Sequence, residues 1–446
     1  MRSPLASMQG PPASLRSPLA AVAVLILAGG AHAQSVPAGQ DYQQIERGRY
    51  LVVVSDCAAC HTADPGKPLA GGRPIETPFG TLTAPNITPD ADTGIGDWSD
   101  EEFDAALRRG VRPDGKRLYP AMPYGYYARM TRSDVIAMRA YLNTVRPIHN
   151  AVHSDTLPFP FSVRAVMQVW DALYFSPGVL RPDPARSAEW NRGAYLVLGP
   201  GHCGACHTPK TLMGGDKGRE ALQGYNIQDW FAPDITNDAA AGVGRWSEDD
   251  LIAYLKTGHN RFSAASGPMG EEVQDSSSQW SAADLKAVAV YLKSLGGGRG
   301  SEGGTVQAAT PSSTARGAAG NAGSALAPND ARMVAGAGIY SDLCSGCHAP
   351  DGSGVAYLIP SLAGSPNVAQ RDPTTLIRLV INGARSVATR EEPTDAMMPS
   401  YGWQLDDAQI AAVLTFVRNS WGHAAAPVSP ADVGHQRETL RPGAPQ

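Results

Sequence analysis

Apolar positions recur at helical spacing near the end of three successive stretches of this chain. Val135, Met138, Tyr141 and Leu142 share one face of a segment opened by Ser133. Leu285, Val288, Tyr291 and Leu292 take the same positions after Ser281, whose pairing with Asp284 resembles a capping box. Ile410, Val413, Phe416 and Val417 repeat the pattern once more. An aromatic at matching positions predicts one recurring packing contact. The expected partner is the first helix of each stretch, which carries Gly48, Gly193 or Gly336 and so admits a neighbour at close range.

Between the first two stretches, Val163, Val166, Met167, Trp170, Leu173 and Tyr174 predict one apolar helix face, with Arg164, Gln168 and Asp171 opposite. Ordinary packing and rest against a membrane or a partner subunit are both open for this face. Two segments are poor in large apolar residues. Positions 296–330 are rich in Gly, Ala and Ser and read as a flexible linker that sets the third stretch apart; 423–446 read as a disordered tail. At the start, Arg2 and Arg16, the apolar run Leu19–Leu27 and Ala31-His32-Ala33 predict a signal peptide over 1–33. That run is shorter than the roughly 20 residues a spanning helix needs.

The first two stretches are copies. Arg47-Gly48-Arg49-Tyr50-Leu51-Val52 returns as Arg192-Gly193-Ala194-Tyr195-Leu196-Val197. Asn86-Ile87-Thr88-Pro89-Asp90 returns as Asp234-Ile235-Thr236-Asn237-Asp238, and Gly94-Ile95-Gly96-Asp97-Trp98-Ser99 as Gly242-Val243-Gly244-Arg245-Trp246-Ser247. Order and spacing are kept, as duplication would leave them. The third stretch lacks both of the latter segments.

All six cysteines fall in three C-x-x-C-H motifs: Cys57–His61, Cys203–His207 and Cys344–His348. This is the attachment pattern of c-type haem, two thiols for two vinyl groups and a histidine for the iron. A disulfide framework has no cysteines outside the motifs to use, and zinc sites give no reason for the histidine. The reading is three covalent haem c groups, bound through Cys57, Cys60, Cys203, Cys206, Cys344 and Cys347, with His61, His207 and His348 as metal ligands. A second ligand is expected downstream in each unit. Met122 and Met269 follow their histidines at almost equal distances, and Met398 follows at a shorter one, preferred over Met397 because it abuts Pro399. The remaining histidines, including His149, His153, His202, His259 and His423, read as surface or loop residues.

Length and charge add boundaries. A chain of 446 residues suits three domains. A net charge of −5 argues against nucleic acid as a partner. Neither a P-loop nor a dinucleotide-binding glycine motif is present, so no substrate-oxidising site is read here, and the chain is not expected to be an enzyme by itself.

The run from Gly48 through Ala59-Cys60-His61-Thr62, Asn86–Asp90 and Tyr119-Pro120-Ala121-Met122-Pro123-Tyr124 closely resembles the tri-haem cytochrome c subunit of bacterial membrane-bound periplasmic dehydrogenases. Such subunits serve alcohol, gluconate, sorbitol and aldehyde dehydrogenases. The resemblance covers about residues 43–422. It implies a mainly α fold of three tandem class I cytochrome c domains at 43–150, 187–295 and 331–422, with 151–186 as connector. It also implies an electron-transfer subunit on the periplasmic side of the cytoplasmic membrane, attached peripherally. Electrons would come from a catalytic dehydrogenase subunit of quinoprotein, flavoprotein or molybdenum type and pass to ubiquinone or a terminal oxidase. Two alternatives remain at this point. One is a haem enzyme such as a peroxidase or small-anion reductase; the other is a cytochrome subunit of a haem-copper oxidase.

Overall fold

The computed structural model describes residues 41–152, 156–296 and 325–440. The expected signal peptide and most of the Gly/Ala/Ser-rich linker lie outside the described residues. The rest is mainly helical and is organised around three packed helix pairs. Helix α1 (Tyr42–Val54) lies on α3 (Arg132–Leu142), after α2 (Asp100–Arg109). Beyond the connector helix α4 (Val166–Tyr174), α5 (Ala188–Leu198) lies on α8 (Ala282–Ser294), with α6 (Glu248–Thr257) and α7 (Gly267–Asp275) between them in sequence. In the third module α9 (Ala331–Ile339) lies on α11 (Asp407–Arg418), flanked by α10 (Thr374–Asn382) and α12 (Pro430–Thr439).

The glycines explain how closely each pair packs. A Cβ on Gly48 would stand 1.8 Å from the Ala137 carbonyl oxygen. The matching distances are 2.0 Å from Ala287 for Gly193 and 2.2 Å from Ala412 for Gly336. Backbone meets backbone at all three crossings, and only a residue without Cβ fits. The caps are local. Helix α3 starts at Arg132 because Thr131, not Ser133, holds extended backbone and accepts from the Asp134 N–H. Ser99 with Glu102, Ser247 with Asp250 and Asp406 with Gln409 form reciprocal capping boxes on α2, α6 and α11.

Among the described residues there are three two-stranded antiparallel ribbons. β1 (Pro74–Thr77) pairs with β2 (Gly80–Thr83), and β3 (Gln223–Ile227) with β4 (Trp230–Asp234), Ile227 opposite Trp230. β5 (Ala384–Arg385) pairs with β6 (Met397–Met398). The second turn uses Gln228 and Asp229, both left-handed, which suits a two-residue hairpin.

Three expectations are corrected. The tail is not disordered through 440: α12 is capped by Ser429 and Asp432, and Val433 is fully buried in the third core. Arg437 ties the helix down further, donating to Asp407 at 2.8 Å and to Leu405 O at 3.0 Å. The connector helix turns its stripe only partly inward. Met167 and Asp171 are the buried positions, while Val169 and Leu173 are 63% and 68% exposed. Asp171 faces in because Tyr124 donates to it at 2.6 Å and Arg117 pairs with it at 3.1 Å. The third module does not stand apart. Its Val387 N–H donates to Ala265 O at 3.1 Å, Phe231 N–H donates to its Thr375 Oγ1 at 2.7 Å, and its Arg378 stacks over Trp230.

Candidate haem sites

Each C-x-x-C-H segment forms a turn of helix at the foot of the first helix of its pair: Cys57–His61, Gly204–His207 after helical Cys203, and Ser345–His348 after the π turn Tyr340–Cys344. Residues three apart on a helical turn share a side, so the two thiols of each motif stand together. All six are free. Burial holds Cys57 well above the ordinary thiol range and pushes Cys203 up to about 12, and Cys60 and Cys344 to about 11. These are protonated thiols, suited to adding S–H across a vinyl double bond.

The histidines are oriented alike. His61 Nδ1 meets Pro85 O at 2.7 Å, His207 Nδ1 meets Pro233 O at 2.7 Å, and His348 Nδ1 meets Pro360 O at 3.1 Å. A carbonyl can only accept, so Nδ1 carries the proton in each ring and Nε2 keeps its lone pair for a metal. Burial lowers the pKa of all three, which favours the neutral, ligating form. The ribbons supply the acceptors: Pro233 lies in β4, and Pro85 follows β2 by one residue past Ala84. These prolines, at equivalent places in the repeat, were the sequence signal for this support and were not read as such.

The side-chain surroundings fit a porphyrin. Met122 and Cys57 pack against one apolar cluster with Leu51, Val135 and Met138. Met398 and Cys344 pack against another, while Met397 is exposed. Met269 is placed differently. It lies in the first turn of α7 and packs against Ala265, Val273 and Val387, a cluster apart from the one that holds Cys203. Trp246 Nε1 is buried without a partner, a donor that an acidic group on a bound porphyrin would satisfy. His259, expected at the surface, is 1% exposed, with its Nδ1 at 3.0 Å from Thr257 O. His202 stacks on Tyr127. Neither ring has the proline-carbonyl support of the motif histidines.

The first and second motifs are neighbours, which the sequence had not suggested. The Cys60 and Cys206 thiols lie within electrostatic reach of each other. Asp56, left-handed at φ 48° just before Cys57, is raised to about 9 by burial and then by Glu272, Asp275 and Glu271. Burial raises Glu272 to about 7, although Ser277 Oγ donates to it at 2.9 Å. Arg73 ties this acidic patch to the first motif, donating to Ala59 O at 2.8 Å and to Glu271 at 2.7 Å.

With this geometry in view, comparison with known proteins is direct. The cytochrome c family model matches residues 45–146 and 333–421. The chain is 40% identical over 438 residues to the cytochrome c subunit of the quinone alcohol dehydrogenase of Gluconacetobacter polyoxogenes, covering 96% of this chain and 91% of that one. It is 40% identical to the gluconate 2-dehydrogenase cytochrome c subunit of Pantoea cypripedii (88% and 89% covered). It is 38% identical to the fructose dehydrogenase cytochrome subunit of Gluconobacter japonicus (92% and 88%). The chain belongs to this family of dehydrogenase cytochrome c subunits, whose members carry covalent haem c, transfer electrons and leave substrate oxidation to another polypeptide.

Proposed function

We propose that the chain carries three haem c groups and conducts electrons from a catalytic dehydrogenase subunit toward ubiquinone or a terminal oxidase, at the periplasmic side of the cytoplasmic membrane. The observation that carries the count is the thrice-repeated Nδ1–proline carbonyl contact. It occurs in the middle module, outside the family-model match, in the same form as in the outer two. The proposed attachment residues are Cys57, Cys60, Cys203, Cys206, Cys344 and Cys347, with His61, His207 and His348 on the irons. Met122, Met269 and Met398 are proposed as the opposite ligands, Met269 on its place in the repeat alone. The domain limits proposed are 43–150 and 187–295, with the third running from 331 through α12, which packs into its core.

Haem supplies a one-electron couple when bound. The chain's own residues set the conditions for it. The proline carbonyls hold each imidazole in one tautomer and orientation. The apolar clusters around Cys57 and Cys344 keep water from the thioether side. For peripheral attachment, the supporting feature is the exposed edge of α4: Val169 and Leu173, joined by Leu212 through the Trp170 Nε1 bond to Met213 O at 2.8 Å. No described helix is long and apolar enough to cross a membrane.

The test has two parts. Intact mass of the purified chain should show three haems, and stopped-flow mixing with its co-purifying catalytic subunit and substrate should reduce them. Two haems refute the count. Turnover of substrate or peroxide by this polypeptide alone refutes the role.

A further inference from the structure

Tyr50 on α1 and Tyr195 on α5 occupy matching places in the duplicated units, and each crosses into the other module. Tyr50 Oη donates to Asp284 at 2.7 Å and accepts from the Ser281 N–H at 3.1 Å. Tyr195 Oη donates to Asp134 and accepts from the Thr131 N–H at 3.2 Å. Ser281 and Thr131 are the N-caps of α8 and α3, and the two aspartates are the third residues of those helices. Each aspartate is gripped from its own module by an arginine. Arg192 reaches Asp284 with two bonds of 2.7 Å, and Arg47 does the same work on Asp134.

The arrangement is an exchange with approximate two-fold symmetry. In a capping box the third residue's side chain returns to the N-cap N–H. Here the carboxylate turns to arginine and tyrosine instead, and the tyrosine oxygen from the other module takes the N-cap N–H. Neither helix start is satisfied without its neighbour. Both aspartates are buried, at 1% and 7% exposure, so a lost partner is not replaced by bulk water.

These bridges sit about two helical turns before the first and second attachment motifs, on the helices that lead straight into them. The seam continues to the motifs. Val54, at the end of α1, belongs to the apolar core of the second module. The Tyr127 ring of the first module stacks on His202 beside Cys203, with centroids 5.8 Å apart. A Cβ on Gly204, inside the second motif, would meet the Tyr126 hydroxyl at 2.6 Å. The first motif in turn packs against α7.

We propose that Tyr50 and Tyr195 are positioning residues for electron exchange between the first and second haems: their crossed hydroxyl bridges fix the mutual distance and orientation of the two porphyrins. The inference rests on haem loading of both motifs, as proposed above. It requires nothing of the third module.

The experiment uses the full haem-loaded chain with Tyr50→Phe, Tyr195→Phe and the double variant. Phenylalanine keeps the ring in the seam and removes only the hydroxyl. The readout is circular dichroism in the Soret region of the reduced protein, where two neighbouring porphyrins produce a two-signed couplet set by their separation and angle. Ligation of each iron is followed separately by absorption, and haem content by mass. The expected result is a couplet in the parent, weakened in each single variant and lost in the double, with haem content and low-spin absorption unchanged. Tyr141→Phe, on α3 away from the seam, should leave the couplet intact. A full couplet in the double variant overturns the inference, as does a parent with three haems and no couplet. A parent lacking haem on the first or second motif instead refutes the loading on which it rests. Should the double variant lose haem, the single variants decide.

Discussion

Gly336 and Gly338 lie two residues apart in α9, and the structure assigns alanine opposite effects at them. A Cβ at Gly336 would stand 2.2 Å from Ala412 O, 2.7 Å from Phe416 Cβ and 2.8 Å from Ala412 C. Ordinary contact begins at 3.4 Å, so α9 and α11 must part by roughly 1 Å, and the obstacle is backbone that cannot rotate away. Overpacking of this kind costs about 1–3 kcal/mol. Alanine's better helix propensity returns about 1 kcal/mol, leaving a net loss of up to about 2 kcal/mol. At Gly338 nothing lies within 4 Å of the added Cβ. There the propensity gain of about 1 kcal/mol stands alone. Hydrogen exchange of peptides from α9 and α11, read by mass spectrometry in the haem-loaded chain, reports the opening free energy of this module locally. Gly336→Ala should exchange faster, by up to about 30-fold, and Gly338→Ala more slowly than the parent. Equal effects of the same sign would refute the claim that helix contact, rather than glycine flexibility, explains residue 336.

Met122→Ala should leave one haem of three without its sulfur ligand, seen as a weakening of the methionine-to-iron band in the oxidised spectrum and a lower midpoint potential for that haem; three unchanged haems would make Met122 a packing residue. Met269→Ala distinguishes the repeat-based assignment from the structural placement. A low-spin second haem that survives the substitution would confine Met269 to its contact with Val273 and Val387. Arg418 is fully buried, donating to Ala426 O and Val368 O at 3.0 Å, and burial lowers its pKa to about 10. Arg418→Ala should cost about 3–5 kcal/mol by emptying that site and stranding two carbonyls, measurable as a lower melting temperature. Glu272, raised to about 7 from an ordinary 4.5 by burial, binds a proton more tightly in the folded chain. Its protonated form therefore supports the fold below about 4.5, and that support is lost as pH rises through 7. Glu272→Gln should flatten stability across this window, and an unchanged pH profile would show that the carboxyl is solvated.

Much of the fold was legible because its determinants are local. Apolar spacing located the last helix of each pair, and the glycines marked the crossings before any contact was known. The motif histidines were likewise readable from adjacency to the cysteines. What escaped depends on residues far apart. Pro85, Pro233 and Pro360 act only through a carbonyl, a group every residue has, so residue type says nothing of their role, and the signal lay in the equivalent places of Pro85 and Pro233 in the repeat. The polar α12 was missed because a buried valine, a cap and the reach of Arg437 to Asp407 and Leu405 outweigh its composition. Asp171 escaped for a related reason: its inward turn depends on Tyr124 and Arg117, neither of them in its own helix.

The seam between the first two modules was present in the sequence as a repeat without an explanation. In Arg-Gly-x-Tyr, the arginine holds the aspartate of its own module, the glycine admits the neighbouring helix, and the tyrosine reaches the aspartate of the other module. The third module tests this account by what it lacks. Aligning Gly336 with Gly48 and Gly193 places Ala335 where the arginine stands and Gly338 where the tyrosine stands. The third residue of α11 is Gln409, which returns to its own cap in an ordinary capping box rather than turning outward. Only the glycine survives, and the close helix pair survives with it. The partner-crossing groups are gone, and the third module instead meets the second through Val387, Thr375 and Arg378, which have no counterpart in the first seam. The same four-residue signature thus separates two requirements: packing within a module needs the glycine alone, and pairing between modules needs arginine, tyrosine and a free helix-start carboxylate together.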